Sequence, residues 1–218
     1  CPGGIDRGEP GAGAMSRPLV ICDCDEVLLH FVGPFTDYLA AEHDLALHLD
    51  TFALSGNIRR ADGSTVEQEH FMPLLNGFFE THMPTQTPAP GAAAALAALA
   101  RDCDIVILTN VDDRHNAVRT SELARLGMPY RVVTNNGPKG RPVAALMDEY
   151  GAKSGAFIDD LPPHHGSVKR AAPHVFRLHM VADPRLHALI PAAPDANARI
   201  DSWPAALPIL QAALGVTP

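Results

Sequence analysis

Two pairs of aspartates follow runs of apolar residues: Asp23 and Asp25 come after LVIC, and Asp159 and Asp160 after GAFI. Thr109 and Asn110 follow a third such run, DIVIL, and Lys139 stands in a Gly-Pro-Lys-Gly turn. Carboxylates crowded into one place repel one another and become hard to ionise unless a cation joins them. Ligands that are all oxygen suit a hard ion, and Mg²⁺ takes one or two carboxylates, several waters and a substrate phosphate. A phosphate would add negative charge of its own. Lys139 supplies a second positive charge, and Thr109 and Asn110 can donate hydrogen bonds to phosphoryl oxygens. Phosphoryl transfer asks mostly for positioning and charge stabilisation, which this set of residues can provide.

These groups are far apart in the chain, so the fold has to gather them. Five segments rich in apolar, often β-branched residues predict strands: residues 18–23, 104–110, 130–135, 155–160 and 174–181. Helical patterns lie between the later ones, including RHNAVRTSELARLG, whose Val118, Leu123 and Leu126 fit one face, and RPVAALMDEYG. Alternating strand and helix predicts a doubly wound α/β fold with a Rossmann-like parallel sheet covered on both sides. In such sheets ligands bind beyond the carboxyl ends of the strands, where the polar clusters stand.

About 80 residues separate the first strand from the second, too many for a simple connection. Within them PFTDYLAAEHDL and VEQEHFMPLLNGFFETH predict helices, and RRADGS carries the turn signal of a small hairpin. The proline cluster MPTQTPAP predicts a return linker, and AAAALAALARD the helix that re-enters the core. The expected organisation is a catalytic core of residues 16–30 and 91–218 with a mostly helical cap at 31–90. Residues 1–15, rich in Gly and Pro, fit a disordered tail or a start placed before Met15. ARIDSWPAALPILQAAL predicts a last short strand and a closing helix, with Trp203 a packing residue.

The chain has 218 residues, 46% of them hydrophobic, and 17 basic against 25 acidic residues give a formal charge of −8. Such a balance does not invite a nucleic-acid backbone or an anionic membrane. No apolar run is long enough for a membrane span. Cys1, Cys22, Cys24 and Cys103 lack the spacing of a disulfide framework, which predicts a reducing cytoplasm and cysteines used as small core residues.

Taken singly, each motif has an ordinary explanation as a helix cap, a turn or a loop. Their order is what is distinctive: a strand then DCDEVL, a strand then TN, a lysine before a helix, a strand then DD. In that order they resemble the signature motifs of the haloacid dehalogenase (HAD-like) superfamily, over roughly residues 16–30 and 91–181. An insert directly after the first motif resembles the caps of many family phosphatases. The resemblance implies that Asp23 attacks phosphorus to form an aspartyl-phosphate, and that Asp25 protonates the leaving alcohol and then activates water. It implies that Asp23, the backbone carbonyl of Asp25 and a carboxylate from Asp159 or Asp160, with Asp160 favoured, hold Mg²⁺. Many relatives carry Asp or Asn about four positions beyond the metal ligand; here His164 stands there.

The expected function is therefore a Mg²⁺-dependent phosphohydrolase acting on a small phosphorylated substrate. A phosphosugar mutase or a catalytically silent ligand-binding relative are the alternatives. Asp25 argues against a dehalogenase, and the absence of lysine from residues 31–90 argues against carbon-phosphorus cleavage. Arg59 and Arg60 are the candidates for a substrate's distal anionic group, set against the simpler reading of a solvated turn.

Overall fold

The computed structural model describes residues 16–51 and 53–217, so the expectation for residues 1–15 lies outside the described residues. Its centre is a six-stranded sheet in the order β5-β4-β1-β6-β7-β8. The strands are β1 (Leu19–Cys22), β4 (Asp104–Thr109), β5 (Arg131–Thr134), β6 (Gly155–Asp159), β7 (Phe176–His179) and β8 (Ala198–Arg199), and every neighbouring pair is parallel. All four residues of β1 are fully buried, which explains why this strand is a continuous apolar run.

The period-two alternation of β1 divides the core into two layers. Val20 and Cys22 pack with α3 (Ala92–Leu99) and α7 (Trp203–Leu214), while Leu19 and Ile21 pack with α5 (Gly140–Glu149) and α6 (Pro162–Ala171). Cys22, Cys24 and Cys103 are all free and buried. Trp203 is buried as a packing residue, its indole N–H donating to the Val27 carbonyl oxygen at 2.9 Å. No helix among the described residues is long and apolar enough to cross a membrane.

Between β1 and β4 the chain forms α1 (Val32–His43), a two-stranded antiparallel ladder of β2 (Ala46–Leu47) and β3 (Ile58–Arg59), and α2 (Gln68–Thr81). The RRADGS turn is present, with Gly63 in the left-handed region and an antiparallel bridge from Arg59 to Thr65. The ladder itself pairs Arg59 with Ala46, a partner the turn signal could not indicate. Phe31, Phe35 and Phe78 pack with centroids 5.2–5.6 Å apart. This cluster also takes in Val111, Val181, Leu186 and Ile190 from loops of the sheet, so the inserted segment is seated on the sheet's carboxyl end.

Next to that end, His165 and His179 are fully buried with rings 5.3 Å apart. The His179 Nε2–H donates to the Asp160 carbonyl oxygen at 2.8 Å, and Nδ1 accepts from the Ala193 N–H at 3.0 Å, the pattern of a neutral ring. Burial holds both histidines below the usual imidazole range, His165 at about 4. The unfolded chain binds these protons from about pH 6.5 downwards, whereas folded His165 resists until near 4. Stability is thus full above that window and falls as pH drops through it. Urea unfolding at about pH 7 and pH 5 is expected to show this fall, and His165→Phe to reduce it. An equal fall in both proteins would assign the acid sensitivity to other groups.

Candidate active site

The chain reverses direction across the sheet at β1, whose two neighbours, β4 and β6, come from different parts of the sequence. The register pairs Cys22 with both Ile107 and Ile158, so Asp23 leaves β1 level with the ends of both neighbours. The Asp23 N–H continues the ladder to the Ile158 carbonyl oxygen at 2.8 Å. Ligand atoms of Asp23, Asp159 and Asp160 all lie within 4.8 Å of one another.

Lys139 precedes α5 and is fully buried. Its ammonium bridges Asp23 Oδ1 at 2.7 Å and Asp159 Oδ2 at 2.8 Å. Gly140 permits this position: its N–H binds Ser167 Oγ at 3.0 Å, and a Cβ there would stand 2.3 Å from the Ser167 carbonyl oxygen. Asp23 Oδ1 also accepts from the Cys24 N–H at 2.7 Å, while Oδ2 has no protein donor among the described residues. One oxygen is held and the other is free. Asp159 is fully engaged, since its Oδ1 accepts from the Leu161 N–H at 2.9 Å. The Asp160 carboxylate has no protein donor among the described residues, although only 8% of the residue is exposed.

Three carboxylates against one ammonium leave two negative charges uncompensated. Burial, reinforced by Asp159, pushes Asp23 up to about 7 despite the opposing pull of Lys139. Burial, then the charges of Asp159 and Asp23, push Asp160 well above the carboxylate range. Burial works against Asp159 most strongly, but Lys139 together with His164 and His165 holds that carboxyl below its usual range. A divalent cation would remove the excess, and the oxygen-only donor set fits a hard ion such as Mg²⁺.

Asp25 lies at the mouth of the same cavity, 21% exposed, held by residues the sequence did not suggest. Arg119 Nη2 donates to both of its carboxylate oxygens at 2.9 and 3.0 Å, and Gln86 Nε2 to Oδ1 at 2.7 Å. Arg119 Nη1 donates in turn to Gln86 Oε1 at 2.8 Å. The apolar face expected for α4 (Asn116–Arg125) is therefore corrected: Val118 is 44% exposed, and fully buried Arg119 and Leu123 face inward. Pairing with Asp25 and Gln86 overrides the hydrophobic preference of the helix.

Glu26 is a second unanticipated residue. It sits in the left-handed region, φ 57°, and its Oε1 accepts from the N–H groups of Phe31 and Val32 at 2.8 and 2.7 Å. The loop that carries the aspartates is thereby tied to the start of α1, where a carboxylate favours a helix. Glu26, His30 and Asp183 also bring ligand atoms within 4.8 Å of one another, but Asp183 is engaged by Arg185.

Asn110 and His164 line the cavity, with Asn110 Nδ2 3.5 Å from His164 Nε2 and held by the Gly137 carbonyl oxygen at 3.1 Å. Thr109 is fully buried behind them, and its hydroxyl has no partner among the described residues. Arg59 and Arg60 are not brought to the site. Arg59 donates to the Gly56 carbonyl oxygen at 2.6 Å, Arg60 pairs with Glu67, and neither lines the cavity.

No family model and no curated protein matches the sequence. Solved structures do. A haloacid dehalogenase-like hydrolase from Streptococcus pneumoniae superposes with a TM-score of 0.66 over 90% of this chain and 99% of its own, at 10% identity. The chain has the HAD-like fold. The HAD-type protein YfnB of Bacillus subtilis, bound to magnesium, gives a TM-score of 0.62 over 89% of this chain and 98% of its own, at 14% identity. A HAD-superfamily hydrolase from Ehrlichia chaffeensis gives 0.53 over 92% and 100%, at 15% identity.

Proposed function

We propose that this protein is a Mg²⁺-dependent phosphohydrolase that cleaves a small phosphomonoester through an aspartyl-phosphate on Asp23. Residues 16–30 and 91–218 form its catalytic core and residues 31–90 its cap. The observation that carries the reading is the buried ammonium of Lys139 between Asp23 and Asp159, with Asp160 alongside and unpaired among the described residues. A structural ion pair needs no third buried carboxylate, whereas a site for a cation and a phosphoryl group does.

In this reading the Asp23 carboxylate attacks phosphorus while Lys139 steadies the developing charge. Asp25, held by Arg119 and Gln86, protonates the departing alcohol and then takes a proton from the water that hydrolyses the acyl phosphate. Asn110, which lines the cavity at the end of β4, supports the phosphoryl oxygens, with Thr109 buried behind it. Asp23, the Asp25 carbonyl and Asp160 would hold Mg²⁺, which when bound neutralises phosphoryl charge. Asp160 suits direct ligation better than Asp159, both of whose oxygens are already occupied by the protein.

Release of phosphate from an aryl phosphate should stop with EDTA and return with Mg²⁺. Unchanged release in metal-free buffer would refute the reading. Asp160→Asn should raise the Mg²⁺ concentration needed for half-maximal rate more than Asp159→Asn does. The reverse order would exchange the two assignments.

Arg119→Ala should lower turnover and cost on the order of 3 kcal/mol of stability, because it strands Asp25 beside a buried gap. Arg119→Lys, which restores charge without the fork, should recover stability more than turnover. Equal recovery of both would make Arg119 a purely structural residue.

A further inference from the structure

The cavity above Asp23 is about 330 Å³, at the small end of ligand sites, and its walls differ sharply in character from its floor. The floor holds Asp23, Lys139 and Asp160; the walls include Phe31, Phe71, Leu75, Phe79, Leu186 and Ile190. Three of these come from one stripe of α2. Phe71, Leu75 and Phe79 recur every four residues and line the cavity; Phe71 and Leu75 are only partly buried, whereas Phe79 is also buried with Leu74 and Phe78 in the core of the inserted segment. The helix thus turns an apolar stripe toward the site that is anchored at Phe79 in its own core and open at Phe71 and Leu75.

The charges lining the cavity are equally one-sided. Asp23, Asp25, Glu26 and Asp160 are acidic, and the only basic side chain of lysine or arginine among the lining residues is Lys139, already shared between Asp23 and Asp159. Arg59, Arg60 and Arg119 are committed elsewhere. A second carboxylate or phosphate on the leaving group would be set among apolar walls and acidic neighbours without a counter-charge, at heavy desolvation cost.

We propose, resting on the phosphohydrolase reading, that the stripe Phe71, Leu75 and Phe79 forms a leaving-group subsite for an uncharged apolar alcohol or phenol of about one ring in size. Carboxylated and multiply phosphorylated compounds are poor occupants of this subsite.

The test compares phenyl phosphate with 4-carboxyphenyl phosphate in Mg²⁺, using the full chain. The carboxylated phenolate is the better leaving group of the two, so chemistry alone would favour it. The expected result is a kcat/KM at least about tenfold higher for phenyl phosphate, with the ratio collapsing or inverting in Leu75→Arg. Phe71→Ala, a milder change, should weaken phenyl phosphate by about threefold or more without improving the carboxylated ester. Equal or reversed preference in the unaltered protein would overturn the subsite and leave the phosphohydrolase reading standing. Calorimetric binding of benzylphosphonate and 4-carboxybenzylphosphonate separates the two ideas. If no ester turns over but benzylphosphonate binds preferentially, and Leu75→Arg removes that preference, the subsite stands and the hydrolytic reading falls. Absence of binding, or equal binding of both phosphonates, overturns the subsite.

Discussion

Asp23→Asn is expected to abolish phosphate release, by at least about 10⁴-fold, on the scale seen when a catalytic nucleophile is removed. The variant should remain folded, for a reason peculiar to this site. Asp23 is one of three clustered buried carboxylates with a single ammonium among them, and removing its charge reduces the excess while Lys139 keeps its 2.8 Å contact with Asp159. The oxygen of the substituted amide can still accept from the Cys24 N–H. Thermal unfolding should therefore occur at or above the unaltered temperature in metal-free buffer, alongside loss of turnover. A variant that loses activity because it unfolds would contradict this electrostatic account.

Lys139→Ala should behave in the opposite way. Turnover should fall at least about a hundredfold, the scale of losing one charge-stabilising donor. Stability should fall too, by about 3–5 kcal/mol, because three carboxylates are then buried without a cation. Mg²⁺ should restore stability in Lys139→Ala more than it stabilises the unaltered protein, since the ion replaces the only positive charge set among the three carboxylates. Denaturation with and without Mg²⁺ measures this directly. A folded variant with near-normal turnover would show that Lys139 is not needed to steady phosphoryl charge.

The residues legible in the sequence are those at strand ends, because apolar runs announce strands and the polar residues that follow must converge in a parallel sheet. Asp23, Asp159 and Asp160 were placed together on that ground, and Lys139 joined them from the turn before α5. Asp25's partners were not legible. Arg119 lies 94 residues from Asp25 and Gln86 lies 61, and neither distance leaves a local signal. The helical period even misled, since Val118 made a more obvious inward residue than Arg119 beside it. Arg59 and Arg60 show the converse: their residue type suggested anion binding, but nearby Gly56 and Glu67 satisfy them first. The α2 stripe was hidden because Phe71, Leu75 and Phe79 are apolar like Leu74 and Phe78, and only packing shows which of them line the cavity.

In the proposed reaction the phosphoryl group passes through Asp23, with Asp25 as proton carrier. Asp25→Asn keeps a side chain that Arg119 and Gln86 can hold but deprives the site of its base, so hydrolysis of the intermediate should slow more than its formation from an ester with a good leaving group. Intact-mass measurement after mixing this variant with nitrophenyl phosphate and Mg²⁺ should show the protein carrying one added phosphoryl group. The same measurement on Asp23→Asn should show none. Phosphate trapped on Asp23→Asn and absent from Asp25→Asn would contradict the assignment of the nucleophile.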